Sequence, residues 1–282
     1  MTGAAAPPKS QRELALRLLS AFALLPVVIL LIANGGLPFA ILVGLVAGRS
    51  VYEVCAMALH PLPRVIWVAV LAAGALPIFS GFQPGNFDSL PLGFAFACTL
   101  SMGSGFASAL LAEDPPAAVS RALWMTVGLV YCGLPLGLIG LLRMGHDGLW
   151  WVILTCTVTW MNDTGGYFFG RAFGRHKLLP KASPKKTWEG FLGGMLFSVG
   201  SAFVVKAVGF HALTVWDCVA LGVPAGFLGP MGDLSESLLK RSLGVKDSGR
   251  LLPGHGGLLD RIDALLFNGV FVFAYASILG RL

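Results

Sequence analysis

The sequence predicts an all-α polytopic integral membrane protein of about nine transmembrane helices, with its N-terminus in the cytoplasm. Three observations carry this. Of its 282 residues 56% are apolar and only 12% charged, against about 25% charged in an ordinary soluble domain. Mean hydropathy is +0.78, and apolar stretches recur along the whole chain with no polar block long enough to fold alone. Finally, lysine and arginine are concentrated in a few connecting segments, as the positive-inside rule requires.

Residues 1–11 are small, polar and proline-containing, and read as a disordered tail. Lys9, Arg12 and Arg17 then precede the apolar run Leu18–Ala33. A signal peptide has the same order, but its apolar core is shorter and ends at a small-residue cleavage site. This run instead leads through Gly35-Gly36 into a second, Leu37–Leu59, so it reads as a retained first helix. Further candidate spans are Val65–Phe79, Pro91–Leu111, Ala122–Leu142, Leu149–Gly170, Gly190–Phe210, Val215–Met231 and Ala264–Leu279. A spanning helix needs roughly 20 apolar residues, so Val65–Phe79 is short.

Nine spans place the tail, the loop with Arg64, and segments Glu113–Arg121, Arg171–Glu189 and Gly232–Asp263 on the inside. The outside segments, Asn34–Gly36, Ser80–Leu90, Met144–Gly148 and His211–Thr214, hold almost no cations, Arg143 being a boundary exception. The net charge of +6 thus follows membrane topology rather than a basic face for nucleic acid, and none is expected as a partner. Cys55, Cys98, Cys132, Cys156 and Cys218 lie in apolar stretches without C-x-x-C or metal spacing, so no disulfide framework is implied.

The densest chemistry lies in Asp233–Asp263. Asp233, Glu236, Asp247, Asp260 and Asp263 stand beside Lys240, Arg241, Lys246, Arg250 and Arg261, five acids and five cations in 31 residues. As a helix, Asp233, Glu236, Ser237, Lys240 and Arg241 share one face at i, i+3, i+4, i+7 and i+8. Asp260 and Asp263 are neighbours if a helix begins near Gly257. Between them Pro253-Gly254-His255-Gly256-Gly257 lets backbone N–H groups approach an anion. Carboxylates on two segments with cations between them suit a hard divalent ion and phosphate oxygens together. A solvated, salt-bridged loop between two helices is the plain alternative.

The wording of this segment decides between them. Ser237-Leu-Leu-Lys240-Arg241, Lys246-Asp247-Ser-Gly249 and Leu252-Pro253-Gly-His255-Gly256-Gly257-Leu-Leu-Asp260-Arg261-Ile-Asp263 resemble, over 27 residues, the signature of the phosphatidate cytidylyltransferases, or CDP-diglyceride synthases. Asp163, Gly166-Tyr167, Gly170-Arg171 and Ser183–Gly190 resemble a second block of that family. Gly165 and Ala264 depart from the common family residues there, and neither is an acid or a cation.

The second block also reads from physics. An acid such as Asp163 inside an apolar helix costs a few kcal/mol and usually faces a cavity or partner. Ser183 as N-cap and Pro184 as first helical residue would open the seventh span with Lys185 and Lys186 beside free N–H groups, a phosphate site. A flank touching anionic lipid is the alternative. Arg49 and Glu53, four apart in the second span, read as a structural pair.

The resemblance implies transfer of the cytidylyl group of CTP to phosphatidate, giving CDP-diacylglycerol and pyrophosphate, in one transmembrane catalytic domain (12–282) whose site lies in 160–263. Asp233 and Asp260, with Asp263, are then the expected ligands of Mg²⁺ or Mn²⁺, and Asp247 is the next acid. Asp233, Asp260, Asp263, Lys240 and Arg261 are the expected catalytic residues. Lys185, Lys186, Ser237, Arg241, Lys246, Asp247, His255, Gly256, Gly257 and Asp163 are the expected substrate contacts. The partners are CTP, phosphatidate and the bilayer of the inner membrane, with the site facing the cytoplasm; an additional monovalent cation and a homodimer stay open. A CTP-dependent lipid-alcohol kinase and a transporter are the two rivals. The transporter predicts inverted repeats, which the sequence does not display.

Overall fold

The computed structural model describes residues 25–81, 89–112, 114–179, 183–249, 251 and 256–282, which form an α-helical bundle with one short hairpin. The first described helix, α1, is Leu25–Asn34. It is followed by α2 (Gly36–Ala58), α3 (Ile66–Gly81), α4 (Ser89–Ala112) and α5 (Pro115–Gly128). One π-helical turn, Leu129–Gly133, joins α5 to α6 (Leu134–Met144) as a continuous rod. Then come α7 (Gly148–Phe173), the antiparallel pair β1 (Lys177–Leu179) and β2 (Ser183–Thr187), α8 (Trp188–Val208), α9 (Val215–Ser242) and α10 (Asp263–Ile278).

Each apolar run read from the sequence overlaps one of these rods. Among the described residues five stretches are long and apolar enough to cross a membrane: Gly36–Ala58, Pro91–Leu110, Pro115–Met144, Trp188–Val208 and Val215–Ser242. α3 and α10 are shorter apolar helices. The stretch read as a disordered tail lies outside the described residues. The five cysteines are unpaired, as their positions in apolar runs suggest.

Three boundaries differ from the expectation, each for a physical reason. α9 does not stop near Met231 but runs on to Ser242, 28 residues in all. The polar face of the signature segment is therefore a rigid extension of a membrane helix rather than a loop. Second, Ser183 does not cap a helix: Ser183–Thr187 pairs with Lys177–Leu179 as a strand. Thr187 caps α8 instead, its hydroxyl accepting from the Gly190 N–H at 3.1 Å. Pro184 favours extended backbone before it, so Lys185 and Lys186 project from a strand. Third, no helix starts at Gly257; a 3-10 turn, Leu259–Arg261, precedes α10. That break separates Asp260 from Asp263.

α7 and α8 pack through glycine. A Cβ on Gly190 would meet the Gly166 carbonyl oxygen at 2.8 Å, so the two backbones approach as small-residue faces allow in membranes. α7 is also tied to α9. Pro230 has no N–H, which frees the carbonyl four residues earlier, and Asn162 Nδ2 donates to that Gly226 oxygen at 3.1 Å. The buried Asn268 of α10 donates to Thr159 Oγ1 at 2.9 Å. At the other end of α9, Thr214 and Asp217 form a reciprocal capping box, and Arg281 pairs with Asp217 at 2.8 Å. Asn162→Ala leaves a buried carbonyl unpaired, at an expected cost of about 1–3 kcal/mol. The check is thermal unfolding of the purified protein in detergent, where a midpoint equal to wild type contradicts this account of the α7–α9 join.

Candidate active site

The C-terminal third of α9 sets the site. Asp233, Glu236, Ser237 and Lys240 do share a face, and they bond along it. Ser237 Oγ donates to Asp233 Oδ1 at 3.3 Å, and Lys240 Nζ donates to Glu236 Oε2 at 2.8 Å. The Lys240 ammonium also reaches out of the helix to Asp260 Oδ1 at 2.5 Å. The Glu236 side chain is 1% exposed and that of Lys240 11%. Buried charges of this kind persist only when paired, and here one cation serves two carboxylates. Arg241, on the same face, turns away: it is exposed, and Nη1 donates to the Val245 carbonyl at 3.4 Å.

Asp260 is the hub of the following loop. Its Oδ2 accepts from the N–H groups of Ser248 at 3.0 Å and Gly257 at 2.8 Å. Burial works against its ionisation, but the Lys240 ammonium and the Gly257 N–H outweigh that and hold the carboxyl below the ordinary carboxylate range. Gly256 has φ +83°, a conformation that favours glycine. His255 lies outside the described residues.

A residue far away in sequence grips the same loop. Glu53 of α2 pairs with Arg49 at 3.1 Å, as the spacing suggests. Its carboxylate also accepts from Ser248 Oγ at 3.0 Å, the Leu258 N–H at 3.1 Å and the Leu259 N–H at 2.9 Å. The Ser248 hydroxyl stands equally 3.0 Å from Asp260 Oδ2, and its single proton serves one carboxylate at a time. A charged residue inside α2 was the only sequence signal for this role; its partners lie some 200 positions away and share no local pattern.

Asp163 of α7 and Lys186 of β2 close the other side. Lys186 Nζ pairs with Asp233 Oδ2 at 2.6 Å. A polar cavity of about 640 Å³ is lined by Asp163, Asp233, Glu236, Lys240, Lys246, Asp247, Gly256, Asp260, Arg261 and Asp263. A second cavity of about 460 Å³, with Arg171, Lys185 and Lys186 on its wall, shares Asp163 and Asp233 with the first. The fold thus gathers most of the expected residues around two adjoining cavities. Ser237 supports Asp233, Gly257 is buried beneath the loop, and Arg241 stands apart.

Ligand oxygens of Asp233, Glu236 and Asp263 lie within 4.8 Å of one another. Glu236 Oε1 is buried and has no hydrogen-bond partner, an arrangement that a folded protein rarely leaves uncompensated. Three hard oxygen donors and an orphaned carboxylate oxygen fit a hard divalent cation. Asp260 is not in this cluster, and both its oxygens are engaged by protein donors; those of Asp233 are engaged more loosely, by Ser237 and by the half-buried Lys186.

A model of the cytidylyltransferase family matches residues 15–279. The chain belongs to the cytidylyltransferase family. It is 40% identical over 146 residues to the phosphatidate cytidylyltransferase of Staphylococcus saprophyticus subsp. saprophyticus, covering 52% of this chain and 55% of that protein. The phosphatidate cytidylyltransferases of Staphylococcus haemolyticus and Staphylococcus aureus (strain COL) are 46% and 43% identical over 121 residues, 43% of this chain and 46% of each. The chain spans about half the length of the curated relatives it matches.

The pairing of Lys240 with both Glu236 and Asp260 carries a measurable share of the stability. Lys240→Met leaves Glu236 and Asp260 buried without their shared cation, and is expected to destabilise the protein by roughly 3–5 kcal/mol. Adding Glu236→Gln to Lys240→Met recovers part of that loss. Unfolding measurements on the two variants check this; a double variant no more stable than the single one contradicts the shared-cation account.

Proposed function

We propose that this chain transfers the cytidylyl group of CTP to phosphatidate, forming CDP-diacylglycerol and pyrophosphate, at the cytoplasmic face of the inner membrane. The observation that carries the reading is the three-carboxylate cluster of Asp233, Glu236 and Asp263 in a cavity bounded by cations, within a chain of this family. A lipid phosphate oxygen attacks the α-phosphorus of CTP. The new P–O bond forms as the bond to the bridging oxygen breaks, and pyrophosphate leaves with that electron pair. The lipid phosphate is already ionised at neutral pH, so the reaction needs no general base.

Asp233, Glu236 and Asp263 would hold Mg²⁺ (or Mn²⁺), whose chemistry is to offset charge on the nucleotide phosphates and the leaving group. The protein's own contribution is to bring two anions together and orient them, the main source of catalysis in such transfers. Lys246 and Arg261 face the polar cavity and are suited to the nucleotide phosphates, while Lys185 and Lys186 meet phosphate from the hairpin side. Lys240, expected among the catalytic residues, has its ammonium committed to Glu236 and Asp260, and its role in this reading is to position those acids. Asp260 in turn orders the loop that presents Gly256. The hairpin cations and the α9–α10 segment stand at one end of the bundle, the end that the positive-inside rule assigns to the cytoplasm.

The test is formation of CDP-diacylglycerol from labelled CTP, phosphatidate and Mg²⁺ by the purified protein in detergent. Asp263→Asn is expected to lower the rate about 100-fold or more, with unfolding behaviour close to wild type. Release of CDP with an alcohol acceptor, and no CDP-lipid, contradicts the reading.

A further inference from the structure

π-Helical turns are rare and concentrate at functional sites. The turn Leu129–Gly133 in the rod Pro115–Met144 carries Tyr131. Its ring packs edge-on against Phe267 of α10, with centroids 6.3 Å apart. Its hydroxyl is shielded and has no hydrogen-bond partner, an uncommon state for a buried phenol. Phe267 follows Asp263 by four residues, about one turn of α10, so the Tyr131 ring packs beside the helix that begins with that acid. Tyr131 O–H is thus an unpaired donor beside α10, and Glu236 Oε1 an unpaired acceptor in the acidic cluster. A phosphate oxygen would satisfy the phenol as an acceptor, and a cation would satisfy the carboxylate.

Tyr131 also lines an apolar groove of about 600 Å³ between that rod and α10. Leu123, Val127, Val130 and Val270 on its walls are exposed. The α10 wall runs from Leu266 to Ala274, roughly 12 Å at 1.5 Å per residue. It begins one turn after Asp263, so the groove starts on the same helix just beyond that acid. A polar end that takes a phosphate and a hydrocarbon-lined end open beside it match one ligand class, a phosphate-bearing lipid.

We infer that Tyr131 and the groove between the Pro115–Met144 rod and α10 form the lipid subsite, with the phenol donating to the lipid phosphate and one acyl chain lying along α10. This deepens the cytidylyl-transfer reading and rests on it for the identity of the lipid as phosphatidate. Tyr131 is then a substrate-binding residue supplied by the N-terminal half of the chain, outside both signature blocks.

The experiment photolabels the full-length protein in detergent with phosphatidate carrying a diazirine near the end of one acyl chain. Adducts are expected on residues 266–274 and 123–135, reduced about tenfold by Val270→Trp, which fills the groove from an exposed position. In steady-state kinetics Tyr131→Phe is expected to raise KM for phosphatidate about fivefold, the size of one hydrogen bond, leaving KM for CTP unchanged. Adducts on α7 and α8, labelling that Val270→Trp does not reduce, or cross-links showing a second copy on this face would overturn the inference. So would an unchanged KM for phosphatidate in both variants while CDP-lipid forms normally. Labelling in the groove without any CDP-lipid formation supports the lipid subsite and instead defeats the reaction assigned to it.

Discussion

The site depends on one ammonium group. Lys240 stands between Glu236, on its own helix, and Asp260, twenty residues further on, and all three side chains are largely removed from water. Burying a carboxylate costs several kcal/mol unless a counter-charge is held close. Two of them sharing one lysine can be buried only if the helix and the following loop keep a fixed relation. Asp260 can then spend its second oxygen on the N–H groups of Ser248 and Gly257, which shapes the loop. The remaining oxygen of Glu236 is left over, beside Asp233 and Asp263, and that residue of unspent negative charge is what suits the cavity to a cation.

The rest of the bundle serves to deliver these groups to one place. Backbone polar groups in a bilayer must be satisfied within the protein, and α9 breaks that rule locally at Pro230. Asn162 repairs it by donating to the freed carbonyl of Gly226, and in doing so fixes the turn of α7 that carries Asp163. On the far side, Glu53 binds the loop from α2 with a carboxylate that is 1% exposed. The N-terminal half, which lies outside both signature blocks, therefore supplies a brace to the chemistry of the C-terminal half.

How much of this was legible in the sequence varied with the range of the interactions. Helical rods followed from apolar runs and charge placement because those signals are local and strong. The shared face of Asp233, Glu236 and Lys240 followed from the helical period alone. What periodicity does not carry is how far a helix continues once its residues turn polar, so the extension of α9 to Ser242 and the strand at Ser183–Thr187 emerged only from the structure. The same holds for the division of labour among the acids. Sequence spacing groups Asp260 with Asp263, whereas the 3-10 turn sends Asp260 to Lys240 and Asp263 to Asp233 and Glu236. Glu53 was readable as a paired acid in a membrane helix, but its hold on Leu258 and Leu259 depends on tertiary packing.

The central claim is that Asp233, Glu236 and Asp263 form a cation site, with Asp260 organising the loop beside it. Titration of the purified protein with Mn²⁺, followed by electron paramagnetic resonance, tests this without reference to turnover. Saturable binding is expected in the wild type, weakened at least tenfold in Glu236→Gln and in Asp263→Asn. Mn²⁺ binding that is the same in wild type and in both variants would contradict the account.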